Sequence, residues 1–297
     1  MDGILIIDKP AGITSHDVVA RVRRILKTKR VGHTGTLDPF ATGVMVVLVG
    51  QATRLAQFLD KDAKSYEAVV RFGSETDTGD RTGLRIADCG LRDEELAEAL
   101  AAVEWNQTLD NFRGEIEQIP PMFSAKKVAG KRLYEHARRG EVIERKPVKI
   151  RIDELEMLSG EGFARVMRVT CSAGTYIRTL AADIGRAIGL GAHLTELRRT
   201  AAGMFLIADS ITLDDFAALE DPRFQIRPKE NAVSHLKVFN LPPDRVSATR
   251  NGLTTRITTS AYSDGEPISL LGVDGQLIAI GIYSKAEKML RPKIVMV

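Results

Sequence analysis

The apolar positions of this chain change spacing repeatedly, and each change marks a new element. The unbroken run Ile4-Leu5-Ile6-Ile7, closed by Asp8-Lys9-Pro10, predicts a buried strand over residues 3–7 and a turn through Lys9-Pro10-Ala11-Gly12. Val18, Val19, Val22, Ile25 and Leu26 then recur at helical spacing, which predicts a helix capped by Ser15. A second apolar run, Val44 through Val49, predicts another buried strand. Residues 52–59 read as a helix and the alternation over 66–72 as a strand. Glycines and acids at 73–83 mark a loop, and residues 92–103 an acidic amphipathic helix. Residues 131–139 predict a short helix, 148–158 and 163–172 a pair of strands, and Gly174-Thr175-Tyr176-Ile177-Arg178 the entry to a helix ending near Ile188. Hairpins and helices are interspersed without regular βαβ units, so the fold class is α+β. Beyond Pro222 and Pro228 the texture turns to short alternating strands with turns at Asp264-Gly265 and Asp274-Gly275. The expected organisation is one domain over 1–228 and a small β-rich module over 229–297.

With 297 residues, 44% of them hydrophobic, the chain can bury a full core. No stretch approaches the eighteen or so apolar residues of a membrane span. The N-terminal run is too short for a signal peptide, so the cytoplasm is the expected location. Cys89 and Cys171 lie far apart without CxxC spacing, which argues against a zinc site or a disulfide framework. Net charge is only +3, but it is unevenly spread. Residues 126–151 hold ten basic and three acidic side chains, a balance of +7, whereas residues 75–117 hold four and twelve, a balance of −8. A second basic cluster, Arg21, Arg23, Arg24, Lys27, Lys29 and Arg30, lies in and after the first helix. Either could be a solvated face; together they favour a polyanion partner, most simply nucleic acid.

The candidate chemistry sits in Gly32-His33-Thr34-Gly35-Thr36-Leu37-Asp38-Pro39, one carboxylate framed by glycines and hydroxyls. A fixed backbone would let Asp38 act as nucleophile or base. Spacing alone favours reading Asp38-Pro39 as a helix opening, with Asp as cap, and cap and catalyst could be the same residue. No P-loop, GxGxxG, HExxH or zinc-deaminase pattern occurs, so nothing calls for a metal or other cofactor.

Six ordered segments give a more specific reading. They are Asp8-Lys9-Pro10-Ala11-Gly12-Ile13-Thr14-Ser15, the Gly32 to Pro39 loop, Lys64-Ser65-Tyr66, Pro120-Pro121-Met122-Phe123-Ser124-Ala125, Gly174 to Arg178, and Gly191-Ala192-His193-Leu194 with Leu197-Arg198-Arg199. In these the chain resembles the TruB family, the tRNA pseudouridine-55 synthases. The resemblance implies a pseudouridine synthase fold, a mixed and largely antiparallel sheet with flanking helices, followed by a PUA-like RNA-binding domain. It implies isomerisation of a uridine in the T arm of tRNA without cofactor, guide RNA or obligate protein partner. Asp38 is the implied nucleophile, attacking ribose C1′ or base C6. Tyr66 would stack on the flipped base and help remove the C5 proton, and Arg178 would pair with Asp38 and keep it ionised.

The implied substrate-binding residues are His33, which fills the gap left by the flipped base, and Leu197, which packs under it. Lys9 supports the loop, and Arg138 and Arg139 lie in an RNA-gripping insertion at about 120–150. Without the resemblance each has a plainer reading: a packed strand tyrosine, a surface helix arginine, a hydrogen-bonded loop histidine, a core leucine. Phe123 departs from the family's usual Tyr and Lys126 from its usual apolar residue. The alternative reading is an RNA-binding or tRNA-folding chaperone whose catalysis is secondary or lost; the presence of Asp38, Tyr66 and Arg178 argues against loss. All the implied chemistry precedes residue 200, so a chain ending near Arg227 is expected to keep a complete core.

Overall fold

The computed structural model describes residues 1–59, 62–124, 126–128, 130–257 and 261–296, leaving aside the side chains of Lys127, Val128 and Arg132. Its main sheet is assembled from β1 (Gly3–Lys9), β2 (Val31–Thr34), β3 (Thr42–Val49), β4 (Lys64–Phe72), β5 (Gly114–Gln118), β6 (Val148–Met157), β7 (Ala164–Cys171), β8 (Ala192–Ala202) and β9 (Ile211–Thr212). The order is β9-β1-β3-β8-β4-β7-β6-β5, with β2 paired to β3. Pairings along this path are antiparallel except β1 with β9 and β3 with β8. This is the mixed, largely antiparallel α+β architecture expected.

Continuous apolar runs mean burial on both faces, and β1 and β3 show it. Leu5, Ile7, Met45, Val47 and Val49 face Val18, Val19 and Val22 of helix α1 (Ser15–Ile25), together with Leu213 and Phe216. Their alternates Ile4, Ile6, Val44, Val46 and Leu48 belong to a second buried cluster with Ala52, Leu55, Leu59, Ala232 and Val233, which Leu277, Ile280, Ile294 and Met296 from the C-terminal end also join. A further core lies between β4, β7 and β8 and two helices, α2 (Asp93–Ala101) and α3 (Ile177–Ala187).

The C-terminal strands are β10 (Lys237–Asn240), β11 (Thr255–Arg256), β12 (Pro267–Leu271), β13 (Leu277–Ser284) and β14 (Met289–Val295), in the order β10-β12-β13-β14-β11. Because buried Ala232 and Val233, in the helical turn Lys229–Val233 beside β1, belong to the same cluster, the core before residue 228 is not complete by itself. That corrects the expectation of a self-sufficient fragment ending near Arg227.

Two further expectations change. The N-cap of α1 is Thr14, whose hydroxyl accepts from the Asp17 amide while the Asp17 carboxylate accepts from the Thr14 amide. Ser15 is the first helical residue; its buried hydroxyl donates to the Leu37 carbonyl at 3.0 Å and accepts from the Leu37 amide at 2.9 Å. Asp38-Pro39 opens no helix. The Ala41 amide donates to the Asp38 carbonyl at 3.1 Å, closing a tight turn that feeds directly into β3. Strand β8 has no counterpart among the predicted elements, because charged residues interrupt its alternation.

Candidate active site

Strand pairing brings distant segments to one end of the sheet. Gly43 of β3 lies opposite Arg199 of β8 at φ +103°, and a Cβ there would fall 2.2 Å from the Arg199 carbonyl oxygen. Only glycine admits this approach. It sets the Asp38 turn against β8 and β4. The resulting cleft, about 230 Å³, is lined by Asp38, Lys64, Tyr66, Arg178, Leu197 and Arg199 among others. It lies below the roughly 300–1,000 Å³ of drug-sized ligand sites and suits a single nucleobase.

Three anchors fix the Asp38 loop. Ser15 holds Leu37. Lys9 has no exposed surface, and its ammonium donates to the carbonyls of Ala41 at 2.6 Å, Pro10 at 3.0 Å and Pro39 at 3.2 Å. Burial lowers the Lys9 pKa to about 8, with the nearby Asp38 charge opposing the shift. Lys9 therefore holds the loop from behind and does not face the cleft. The third anchor is Arg199, 1% exposed, which donates to the carbonyls of Val44 at 2.7 Å and Gly35 at 3.0 Å.

Asp38 and Arg178 meet in a forked pair. Nε of Arg178 lies 2.8 Å from Oδ2 of Asp38, and Nη2 donates to Oδ1 at 3.2 Å. The remaining donors of Arg178 reach the carbonyls of Thr78 at 2.6 Å and Phe123 at 2.8 Å. Asp80, itself buried, lies 3.7 Å from Nη1. The Arg178 side chain is 5% exposed and that of Asp38 34%, so the carboxylate is the more open of the two groups in the cleft wall. Burial pushes the Asp38 carboxyl above its ordinary pKa, the Arg178 guanidinium opposes that, and the Asp80 charge adds to it. The site thus holds a partly desolvated carboxylate whose ionisation depends on one arginine. Arg178 occupies the first turn of α3, where the helix dipole disfavours a cation; the two carboxylates and two carbonyls compensate. The entry to α3 is set by buried Gln118 of β5, which accepts from the Tyr176 amide at 2.8 Å and donates to its carbonyl at 3.1 Å.

Tyr66 and Leu197 form part of the cleft wall on neighbouring strands β4 and β8. Burial raises the Tyr66 phenol above its ordinary pKa despite Arg199 beside it. The ring is therefore a neutral phenol at physiological pH, suited to stacking. His33 lies on β2 opposite Val47 and is outside the lining of the Asp38 cleft. Arg138 and Arg139 follow the short helix Leu133–Ala137; both are exposed, and Arg138 stacks on the Tyr134 ring at 5.4 Å. The structure thus brings Asp38, Tyr66, Arg178 and Leu197 together and leaves His33, Arg138 and Arg139 peripheral.

Nothing in the sequence pattern singles out Asp80 or Gln118, and Arg199 stands out only weakly. It belongs to the last of the six ordered segments, and an arginine alternating with Leu197 on an apolar strand is a usable signal. Asp80 is hidden among the acids of its loop. Among the described residues, no helix is long and apolar enough to cross a membrane.

Comparison with known proteins agrees with this geometry. Residues 23–177 match the model of the TruB family pseudouridylate synthase N-terminal domain, and residues 178–234 that of the tRNA pseudouridylate synthase B C-terminal domain. A tRNA pseudouridine synthase B of Solibacter usitatus is 50% identical over 219 residues, 74% of this chain and 73% of that protein. One from Heliobacterium modesticaldum is 42% identical over 273 residues, 91% of this chain and 87% of that one. Among solved structures, a chain of a Cbf5-Nop10-Gar1 complex aligns with a TM-score of 0.74 at 28% identity, covering 99% of this chain and 84% of its own. The two family matches meet at residue 178 and together span every residue of the cleft from Gly35 to Arg199, so the chain belongs to the TruB family of pseudouridylate synthases.

Proposed function

We propose that this chain converts uridine to pseudouridine in the T loop of tRNA, at position 55, with Asp38 as the nucleophile and the target base flipped out of its stack. The observation that carries the reading is the forked Asp38–Arg178 pair, whose carboxylate opens onto a nucleobase-sized cleft beside Tyr66 and Leu197. The choice of tRNA rests on the relatives named tRNA pseudouridine synthase B, which are 40–50% identical to this chain.

The ionised Asp38 carboxylate attacks ribose C1′ or base C6, and the bond between N1 and C1′ breaks. Uracil turns within the cleft, C5 bonds to C1′, the bond to Asp38 breaks and returns the free carboxylate, the C5 proton leaves, and N1 takes a proton. Atoms and charge balance without a group donor or redox partner, so a cofactor has no step to perform. Arg178 keeps Asp38 ionised, and Tyr66 stacks on the extruded base. Leu197 packs beneath it, and His33 fills the gap left in the RNA, offsetting an unstacking cost of a few kcal/mol. Arg138 and Arg139 grip phosphates, which position RNA without reading its sequence. The module from about residue 229 supplies a second RNA-contacting surface. The chain acts in the cytoplasm as a single polypeptide without guide RNA.

Nucleotide-resolution mapping of pseudouridine in tRNA incubated with the purified protein alone tests the reading. The expected product is a single modified uridine in the T loop. Asp38→Asn should abolish it while tRNA affinity stays within a few-fold, since the side chain keeps its shape and loses its nucleophilicity. Modification elsewhere in the RNA, or turnover by Asp38→Asn near the wild-type rate, would overturn the assignment.

A further inference from the structure

The basic cluster of α1 and the turn after it remains outside the site described above. Arg21, Arg23, Arg24, Lys27, Lys29 and Arg30 are all exposed. Among the described residues none of the six has a carboxylate within ion-pair distance. Arg85, Arg92 and Arg113 of the acidic stretch each pair with an acid three positions away. Nearby acids are already engaged. Asp17 accepts from the Thr14 amide and hydroxyl, and Asp2 accepts from the Gln51 amide. Of the six, Arg23 alone has a described side-chain bond, to the Val31 carbonyl at 2.8 Å, which ties the cluster to the start of β2. The result is a cationic face without ion pairs among the described residues, its charge offset only by Asp17 acting on Arg21 through space.

Its place in the chain gives that face a direction. Arg30 immediately precedes β2, and three extended residues, about 10 Å, separate it from His33. At its other end α1 is locked to the Asp38 loop through Ser15 and Leu37. The segment containing Phe123 and Ser124 reaches the cleft separately, through the bond from Arg178 to Phe123 and through Ser124 in the cleft wall. Each of the two basic segments is therefore contiguous in sequence with residues that anchor or line the cleft.

We infer that the exposed face formed by Arg21, Arg24, Lys27, Lys29 and Arg30 is a second phosphate-binding surface, which takes the sugar–phosphate backbone of the duplex stem adjoining the target loop. The inference rests on the proposed tRNA reading for the identity of the stem, and on the cationic face without ion pairs for the binding itself. A duplex carries one phosphate charge per roughly 1.7 Å of axis, so a short stem beside the loop presents several phosphates to these five cations.

The test is a triple variant, Arg24→Gln, Lys29→Gln and Arg30→Gln, with Arg85→Gln, Arg92→Gln and Arg113→Gln as a control of equal charge change. Dissociation constants are measured for whole tRNA and for its T-arm hairpin across a salt series, alongside melting temperatures and pseudouridine mapping by the wild-type protein. The slope of log affinity against log salt should flatten by up to about 2.7 units in the α1 variant, at about 0.9 for each phosphate no longer neutralised. Affinity should fall at least about tenfold for both RNAs at physiological salt. Melting should not change, and the control should keep the wild-type slope. An unchanged slope in the α1 variant, or an equal flattening in the control, overturns the inference. If the wild-type protein maps to no T-loop uridine yet the α1 variant alone flattens the slope, the tRNA reading fails and the phosphate surface stands.

Discussion

Replacing Arg178 with Met asks how the cleft keeps Asp38 reactive. Met retains much of the volume and cannot donate, so both bonds to Asp38 and those to the Thr78 and Phe123 carbonyls vanish together. Asp38 and Asp80 are then left without their shared counter-charge. Breaking a buried pair from one side costs roughly 3–5 kcal/mol of stability. Losing an opposite charge at this range raises a carboxyl pKa by about 1–3 units. Asp38 already lies above the ordinary carboxylate value in the wild type, so this further rise brings its protonation closer to the working pH. Each unit by which the acid limb passes the assay pH costs about tenfold in rate, because only the ionised form attacks. A lower rate near neutrality is expected, by up to about tenfold for each unit by which the raised pKa exceeds the assay pH, with recovery at higher pH.

The assay is single-turnover release of tritium from C5 of labelled uridine in tRNA, followed over about pH 5 to 9 so that both limbs are covered. The sign of the stability effect follows from the same shift. A carboxyl whose folded pKa is raised prefers its protonated form in the fold, and that form does not need the guanidinium. The stability gap between wild type and variant should therefore be widest above the raised Asp38 pKa and narrow as pH falls through it. A wild-type rate with an unmoved acid limb would refute the electrostatic role of Arg178. A stability gap independent of pH would show that the pair contributes only packing.

Three further outcomes are expected. Lys9→Met leaves three loop carbonyls without their donor, at about 1–3 kcal/mol each before the recovered cost of burying the charge, and should lower both melting temperature and rate. Because the folded Lys9 pKa is depressed to about 8 from 10.5, the wild type should gain up to about 3 kcal/mol relative to this variant as pH rises through that window; equal pH dependence in the two proteins would contradict the shift. Ile280→Ala, at a fully buried C-terminal position in the cluster that includes residues of β1 and β3, should cost about 2–5 kcal/mol and leave one cooperative unfolding transition. A chain ending near Arg227 should by the same packing fail to give that transition, and two separable transitions in the full chain would show independent units. Arg138→Gln with Arg139→Gln should weaken tRNA binding and reduce the salt slope by roughly one unit for each phosphate that goes unneutralised, read by titration at several ionic strengths.

The ordered motifs converge on the Asp38 cleft because each carries a local constraint. The glycines around Asp38, the Tyr at the head of β4 and the arginine at the entry of α3 are residue types whose placement can be read along the chain. What surrounds them cannot be read that way. Ser15 has the look of a helix cap and is a clamp on Leu37, because Thr14 and Asp17 form the better cap. Spacing alone favours Asp38-Pro39 as a helix opening, and the turn wins because Gly43 brings β3 against β8 immediately afterwards. Arg199 gains its importance from Val44, and Asp80 from Arg178, neighbours close to a hundred residues or more away in sequence.

Periodicity and apolar runs determined the element types, the α+β class and the change of texture after Pro228, since these depend on spacings of a few residues. Charge placement along the chain marked two basic segments for the same reason. Tertiary structure decided the rest. It drew residues of β13 and β14 into one buried cluster with residues of β1 and β3, so that the C-terminal sheet shares their core and is also an expected RNA surface. It also placed Asp38, Asp80 and Arg178 in one buried group, which made the protonation of Asp38 a property of three segments together. Burial and Coulomb interactions depend on distance in space, and no local pattern in the sequence records that distance.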